Sequence, residues 1–122
     1  MSKKILIADD EQNIVISLEF LMKREGFDVL VATDGEEAVA RIRKDCPDLV
    51  LLDVMMPKKS GFEVCQEIKA DPALSAVRIL MLTAKGRDTE VAKGLALGAD
   101  AYMTKPFSTK ELVEKVRSLL GA

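Results

Sequence analysis

The chain has 122 residues, 48% of them hydrophobic and 31% charged, enough apolar matter for one buried core and too much for a disordered or fibrous protein. A net charge of −2 supplies no basic face, so direct nucleic-acid binding by this chain is not expected. The absence of histidine removes Ser-His and Cys-His nucleophile pairs and most zinc sites, leaving carboxylates, lysine, hydroxyls and a bound hard cation as the available chemistry.

The opening MSKK is followed by only four apolar residues before a run of acids, too few for a signal peptide. No apolar stretch approaches the length of a membrane span, so a soluble, cytoplasmic protein without membrane contact is expected. Cys46 and Cys65 do not stand at a metal or redox spacing and read as ordinary thiols.

In chain order, short apolar runs alternate with segments of helical period. The predicted strands are Lys4–Ala8, Val29–Ala32, Leu49–Leu52, Ile79–Leu82 and Ala101–Met103. Between them, Ile14, Leu18 and Leu21 share a helical face, as do Ala38 with Ile42, Val64 with Ile68 and Val91 with Leu95. Leu112, Val116 and Leu120 close the series. Gly26, Gly98 and Pro47 stand where helices should stop, Asp34 is a candidate cap, and Ser108 with Glu111 forms a capping-box signature. No repeat or long linker interrupts the pattern, which predicts one domain over residues 1–122. Five strand–helix alternations predict a doubly wound α/β fold, a five-stranded parallel sheet with helices on both faces.

Ligands of such sheets bind beyond the carboxyl ends of the strands, so the residues that follow each strand are the candidates. Asp9 and Asp10 follow the first strand, Asp53 the third, Thr83 the fourth and Lys105 the fifth. Singly, each has a plain reading: Asp10 as a helix cap, Asp53 as a turn residue, Thr83 as a strand-end hydroxyl, Lys105 as a surface charge. Glu11 reads as a first-turn acid facing the helix dipole, with contact to a metal through water as the alternative. Jointly, three carboxylates at one sheet edge would raise one another's pKa unless a cation joined them. Mg2+ with oxygen ligands fits that demand, Asp53 could form an aspartyl phosphate, and Thr83 and Lys105 could receive the phosphoryl oxygens. The small Ala84 would leave room beside Thr83.

The ordered set ADD, LLDVMMPKKSG, LTA and YMTKPFS resembles the receiver domain of two-component response regulators over essentially the whole chain. The resemblance implies a flavodoxin-like sheet of order 2-1-3-4-5. It implies Asp53 as phosphoacceptor from a sensor histidine kinase or phosphotransfer protein, with Mg2+ held by Asp10, Asp53 and the Met55 backbone carbonyl. Asp9 matches the pocket acid that acts through water, and Thr83 and Lys105 match the switch hydroxyl and the phosphate-pairing lysine. Tyr102 matches the aromatic that changes rotamer with Thr83, and a cis Lys105–Pro106 bond is implied.

Such a chain is a switch and no enzyme beyond its own phosphoryl uptake and loss. It would repack the face of the fourth helix, fifth strand and fifth helix, on whose elements Val91, Leu95, Tyr102, Val113 and Arg117 lie, to control a downstream protein or effector. Met55 and Lys85 occupy the positions that tune phosphoryl lifetime, and neither is a water-activating acid or amide. Ala101 stands where the DNA-binding branch often has a second acid after Asp100, which removes one charged contact of a phosphorylation-dependent homodimer without excluding one. A haloacid-dehalogenase-type phosphotransferase needs a second acid at position 55, which is Met, and a flavin site is disfavoured by the negative charge after the first strand.

Overall fold

The computed structural model describes residues 3–84 and 88–121, without the side chains of Ala84, Asp88 and Glu90; Lys85 therefore lies outside the described residues. The elements follow one another as β1 (Lys4–Ala8), α1 (Gln12–Arg24), β2 (Asp28–Ala32), α2 (Gly35–Asp45), β3 (Leu49–Asp53) and α3 (Gly61–Lys69). After a 3₁₀ turn at Pro72–Leu74 come β4 (Arg78–Ala84), α4 (Asp88–Ala96), β5 (Ala101–Lys105) and α5 (Thr109–Leu120). The sheet is parallel throughout and ordered β2-β1-β3-β4-β5, as the resemblance implies. The predicted strands are all present, but β3, β4 and β5 run one or two residues further toward their carboxyl ends. Asp53, Thr83 and Lys105 are thereby carried on regular strand backbone rather than on loops.

Alternation along the strands builds two cores, one on each face. Leu6, Ala8, Val50, Leu52, Ile79 and Met81 face α2 and α3, where Ala38, Ile42, Val64 and Ile68 are buried. Ile5, Ile7, Leu49, Leu51, Leu80 and Leu82 face α1 and α5, where Leu18, Leu21, Leu112 and Val116 are buried. Burial of this many branched aliphatic side chains, each contributing about 1.5–3 kcal/mol, is the main favourable term of the fold.

The helix ends match the sequence in most places. Asp34 Oδ1 accepts from the Glu37 N–H at 2.8 Å, capping α2. Gly26 takes φ of +91° just past α1 and Gly98 takes +106° just past α4, conformations that glycine adopts without a Cβ penalty. At α5, Ser108 Oγ accepts from the Glu111 N–H at 3.0 Å, but the Glu111 carboxylate meets the Ser108 hydroxyl at 3.1 Å instead of the Ser108 backbone. The reciprocal capping box stands at Ser60 and Glu63, opening α3. Glu11 is the N-cap residue of α1 with extended backbone, not a first-turn acid, and its side chain makes no capping bond.

Leu95, which lies on α4, is 44% exposed. Arg117 lies on α5 but turns toward α1, its Nη2 donating to Glu25 Oε1 at 2.7 Å and its guanidinium lying 5.6 Å from the Phe27 ring centre. Both cysteines are free thiols; Cys65 is buried, and burial pushes it up to about 11. Among the described residues no helix is long and apolar enough to cross a membrane.

Candidate functional site

The carboxyl ends of β1, β3, β4 and β5 converge on one pocket. β1 stops at Ala8, and the next residue keeps the ladder going, the Asp9 N–H donating to the Ala32 carbonyl at 3.1 Å. Asp9 is therefore held in the sheet plane, fully buried, whereas Asp10 faces outward and is exposed. Asp9 uses both oxygens: Oδ1 accepts from the Glu11 N–H at 2.9 Å, fixing the start of α1, and Oδ2 accepts from Lys105 Nζ at 3.1 Å. Asp10, the residue that capping would favour from sequence alone, caps nothing.

Asp53 is the last residue of β3, paired in register with Leu82 of β4, and is 7% exposed. Its backbone is clamped from the far side. The Val54 N–H donates to the Leu82 carbonyl at 3.3 Å, and the Gly61 N–H donates to the Val54 carbonyl at 2.8 Å. Gly61 is obligatory at this contact: a Cβ there would run into the Asp53 carbonyl oxygen. The loop between β3 and α3 is also tied to the start of α2, where the Gly35 N–H donates to the Pro57 carbonyl at 3.2 Å. Met55, in this loop, turns its side chain to solvent and is 71% exposed. Sequence reasoning did not single out Gly61 or the Ser60–Glu63 box, although Ser-Gly-x-Glu after the acid carries the same signature as the one recognised at Ser108.

Oxygen atoms of Asp9, Asp10 and Asp53 lie within 4.8 Å of one another, so the three acids read from the strand ends do meet, and they could hold a metal ion. Lys105 Nζ stands between two of them, 3.3 Å from Asp53 Oδ1 as well as 3.1 Å from Asp9. The Lys105–Pro106 bond that follows is cis, as implied. Burial raises the Asp53 carboxyl to about 6, with the Asp9 charge adding to the rise and Lys105 opposing it. Burial alone would lower Lys105, but Asp53 and Asp9 outweigh it and hold the ammonium above its ordinary value. The site thus has more negative charge than one lysine neutralises, and its donors are all oxygen; both features fit a hard divalent cation.

Thr83, at the register position beside Thr104 of β5, is 1% exposed, and its Oγ1 is buried without a hydrogen-bond partner. A buried hydroxyl left unpaired costs about 1–3 kcal/mol, so this group is set to donate to something that arrives. Tyr102 does not join the cluster; it sits two residues before Thr104 on the edge strand and is 44% exposed. An open groove of about 520 Å³ lined by Asp9, Asp10, Gln12, Ile16 and Thr33, among others, gives access to the acids from the α1 side. The arrangement provides a buried carboxylate paired with a lysine ammonium, an unpartnered hydroxyl and three acids that could hold a divalent ion, which is equipment for taking up an anionic group.

The comparisons with known proteins agree with this geometry. The family model described as response regulator receiver domain matches residues 5–117. The alkaline phosphatase synthesis transcriptional regulatory protein PhoP of Bacillus subtilis (strain 168) is 48% identical over 120 residues, 98% of this chain and 49% of that protein. The chain therefore spans about half the length of this curated relative. Among solved structures, a protein of Chloroflexus aurantiacus J-10-fl named as a response regulator superposes with a TM-score of 0.95 at 34% identity, covering 100% of both chains. The chemotaxis response regulator CheY4 of Vibrio cholerae gives a TM-score of 0.92 at 30% identity, covering 98% of this chain and 100% of its own.

Proposed function

The chain belongs to the response regulator receiver domain family, the phosphorylation-activated signalling switches of two-component systems, and on that premise we propose that Asp53 is its phosphoacceptor. The observation that carries the proposal is the Asp53 carboxylate buried at a strand end, with Lys105 Nζ 3.3 Å from its Oδ1 and the unpartnered Thr83 hydroxyl at the end of the adjoining strand. Asp10 and Asp53 would hold Mg2+ through their carboxylates and Met55 through its backbone carbonyl, with Asp9 acting through water. Bound there, the ion supplies positive charge against the three acids and the incoming phosphoryl oxygens.

In the transfer, an Asp53 oxygen attacks phosphorus, the bond from phosphorus to the donor nitrogen breaks, and the histidine leaves with the electron pair. Lys105 gives up its contact with the Asp53 carboxylate and pairs with a phosphoryl oxygen. Thr83 Oγ1 donates to another, which satisfies its missing hydrogen bond. The movement of Thr83 leaves space into which Tyr102 turns from its exposed position. These differential contacts shift a pre-existing two-state equilibrium and repack the face of α4, β5 and α5.

The chain's own contribution to uptake and loss of the group is the positioning just described; no separate substrate is turned over. The partners in this reading are a sensor histidine kinase or phosphotransfer protein upstream and a protein or effector domain downstream, in the cytoplasm, with residues 1–122 as one receiver domain. A phosphorylation-dependent homodimer is compatible with it.

Incubation with Mg2+ and acetyl phosphate tests the reading by intact mass. One phosphoryl group is expected to add to the wild-type protein, with acetate leaving, and to be absent from Asp53→Asn. An unmodified wild-type protein at saturating donor, or an adduct that persists in Asp53→Asn, contradicts it.

A further inference from the structure

Glycine in a folded chain usually marks a place where geometry or crowding forbids a side chain, and the described glycines sort by cause. Gly26, Gly98 and Gly121 have φ of +91°, +106° and +72°. Gly35 and Gly61 face backbone, where a Cβ would run into the carbonyl oxygens of Lys59 and Asp53. Gly94 alone has neither cause. It is buried inside α4 with ordinary φ, and a Cβ would meet Met81 Cγ at 3.5 Å, Met81 Cε at 3.6 Å and Phe62 Cε1 at 3.8 Å, all ordinary contacts. Gly94 stands in the last turn of α4, where glycine favours the helix less than alanine does. The structure thus tolerates a methyl group at this position, and the contacts of the described residues do not require glycine there.

What borders this methyl-sized clearance connects it to the site. Met81 stands two residues before Thr83 on β4 and is the register partner of Tyr102 on β5. Its unbranched thioether repacks with little resistance. Phe62 also meets Lys93 of α4, whose Nζ lies 4.6 Å from the ring centre. The clearance therefore lies where β4, the strand that carries the unpartnered Thr83 hydroxyl, meets α4.

We propose that Gly94 is a positioning residue of the switch: it keeps open a methyl-sized clearance into which Met81 moves when β4 responds to a phosphoryl group on Asp53. The proposal rests on the phosphoacceptor reading of Asp53. An alanine at this position fills the clearance, favours the resting arrangement of α4 and opposes the one in which Met81 has moved.

The test compares the full chain with its Gly94→Ala and Thr89→Ala variants, Thr89 being an exposed α4 residue whose replacement raises helix propensity without filling the clearance. Beryllofluoride is titrated in Mg2+ and its binding read by fluorine NMR; α4 amide exchange is read without it. Slower α4 exchange is expected in both variants. Weaker beryllofluoride binding, by about fivefold or more, the scale of crowding an extra methyl group against a moved Met81, is expected in Gly94→Ala alone. Equal affinity in Gly94→Ala and wild type overturns the proposal. Equal weakening in both variants also overturns it, because helix propensity alone would then be the cause, and a destabilised Gly94→Ala shows that the clearance does not exist. If the wild-type protein itself fails to bind beryllofluoride, the Asp53 reading falls first.

Discussion

Lys105→Met is expected to destabilise the ion-free protein near neutral pH by about 3 kcal/mol, the scale of removing one partner from a buried ion pair. The lysine is the group that bonds both buried acids, 3.1 Å from Asp9 and 3.3 Å from Asp53, and methionine keeps its length while deleting its charge. The carboxylates would then face each other uncompensated. The loss should shrink as pH falls, because Asp53 already titrates at about 6 and protonates at still higher pH without its cation. Mg2+ should restore much of it, by binding the folded form alone. Urea unfolding in chelator and in Mg2+, across a pH series, checks all three statements; a deficit that ignores both pH and Mg2+ would mean that Lys105 acts by packing.

Asp53→Asn should do the reverse and stabilise the ion-free protein near neutral pH, by up to about 3 kcal/mol. The folded state raises this carboxyl from 3.8 to about 6, chiefly by burial, with Asp9 adding to the rise. An acid with a raised folded-state value favours folding while protonated. Its cost to stability is therefore absent below about pH 4, grows between about 4 and 6, and is full above that window. Asparagine removes a charge that the fold holds at a loss, so the gain should vanish on acidification to about pH 4. The same substitution should cut the stabilisation that Mg2+ gives, since it removes a proposed ligand. A lower midpoint for Asp53→Asn in chelator at neutral pH would show that the carboxylate is not held at a loss. Together the two variants move stability in opposite directions from neighbouring atoms, which a general loss of packing would not do.

The fold was largely legible because its rule is simple. Strands Leu49–Leu52 and Ile79–Leu82 are apolar at every position, and both faces of β3 and β4 are in fact covered. The rule that ligands lie beyond carboxyl strand ends then picked Asp9, Asp10, Asp53, Thr83 and Lys105 from local sequence, and four of them meet: oxygen atoms of the three acids lie within 4.8 Å of one another, and Lys105 bonds Asp9 and Asp53. What was not legible depends on how elements sit in space. Asp9 and Asp10 are adjacent and chemically identical, yet one is fully buried and the other exposed, because the sheet ladder continues through Asp9 alone. Arg117 lies on α5, but its length lets it reach Glu25 just past the end of α1, a contact 92 positions away in sequence. Gly61 and Gly94 look alike in a sequence; only the distance to the Asp53 carbonyl distinguishes the glycine that crowding demands from the one it does not.

The central claim, that Asp53 carries the phosphoryl group, is tested most directly by trapping the acyl phosphate. Protein treated with Mg2+ and acetyl phosphate is reduced with borohydride, which converts a phosphorylated aspartate to homoserine, and then mapped by peptide mass spectrometry. Conversion at Asp53 and at no other acid is predicted. Conversion at Asp9 or Asp10, or none at any acid when the intact protein has gained a phosphoryl group, would contradict the account.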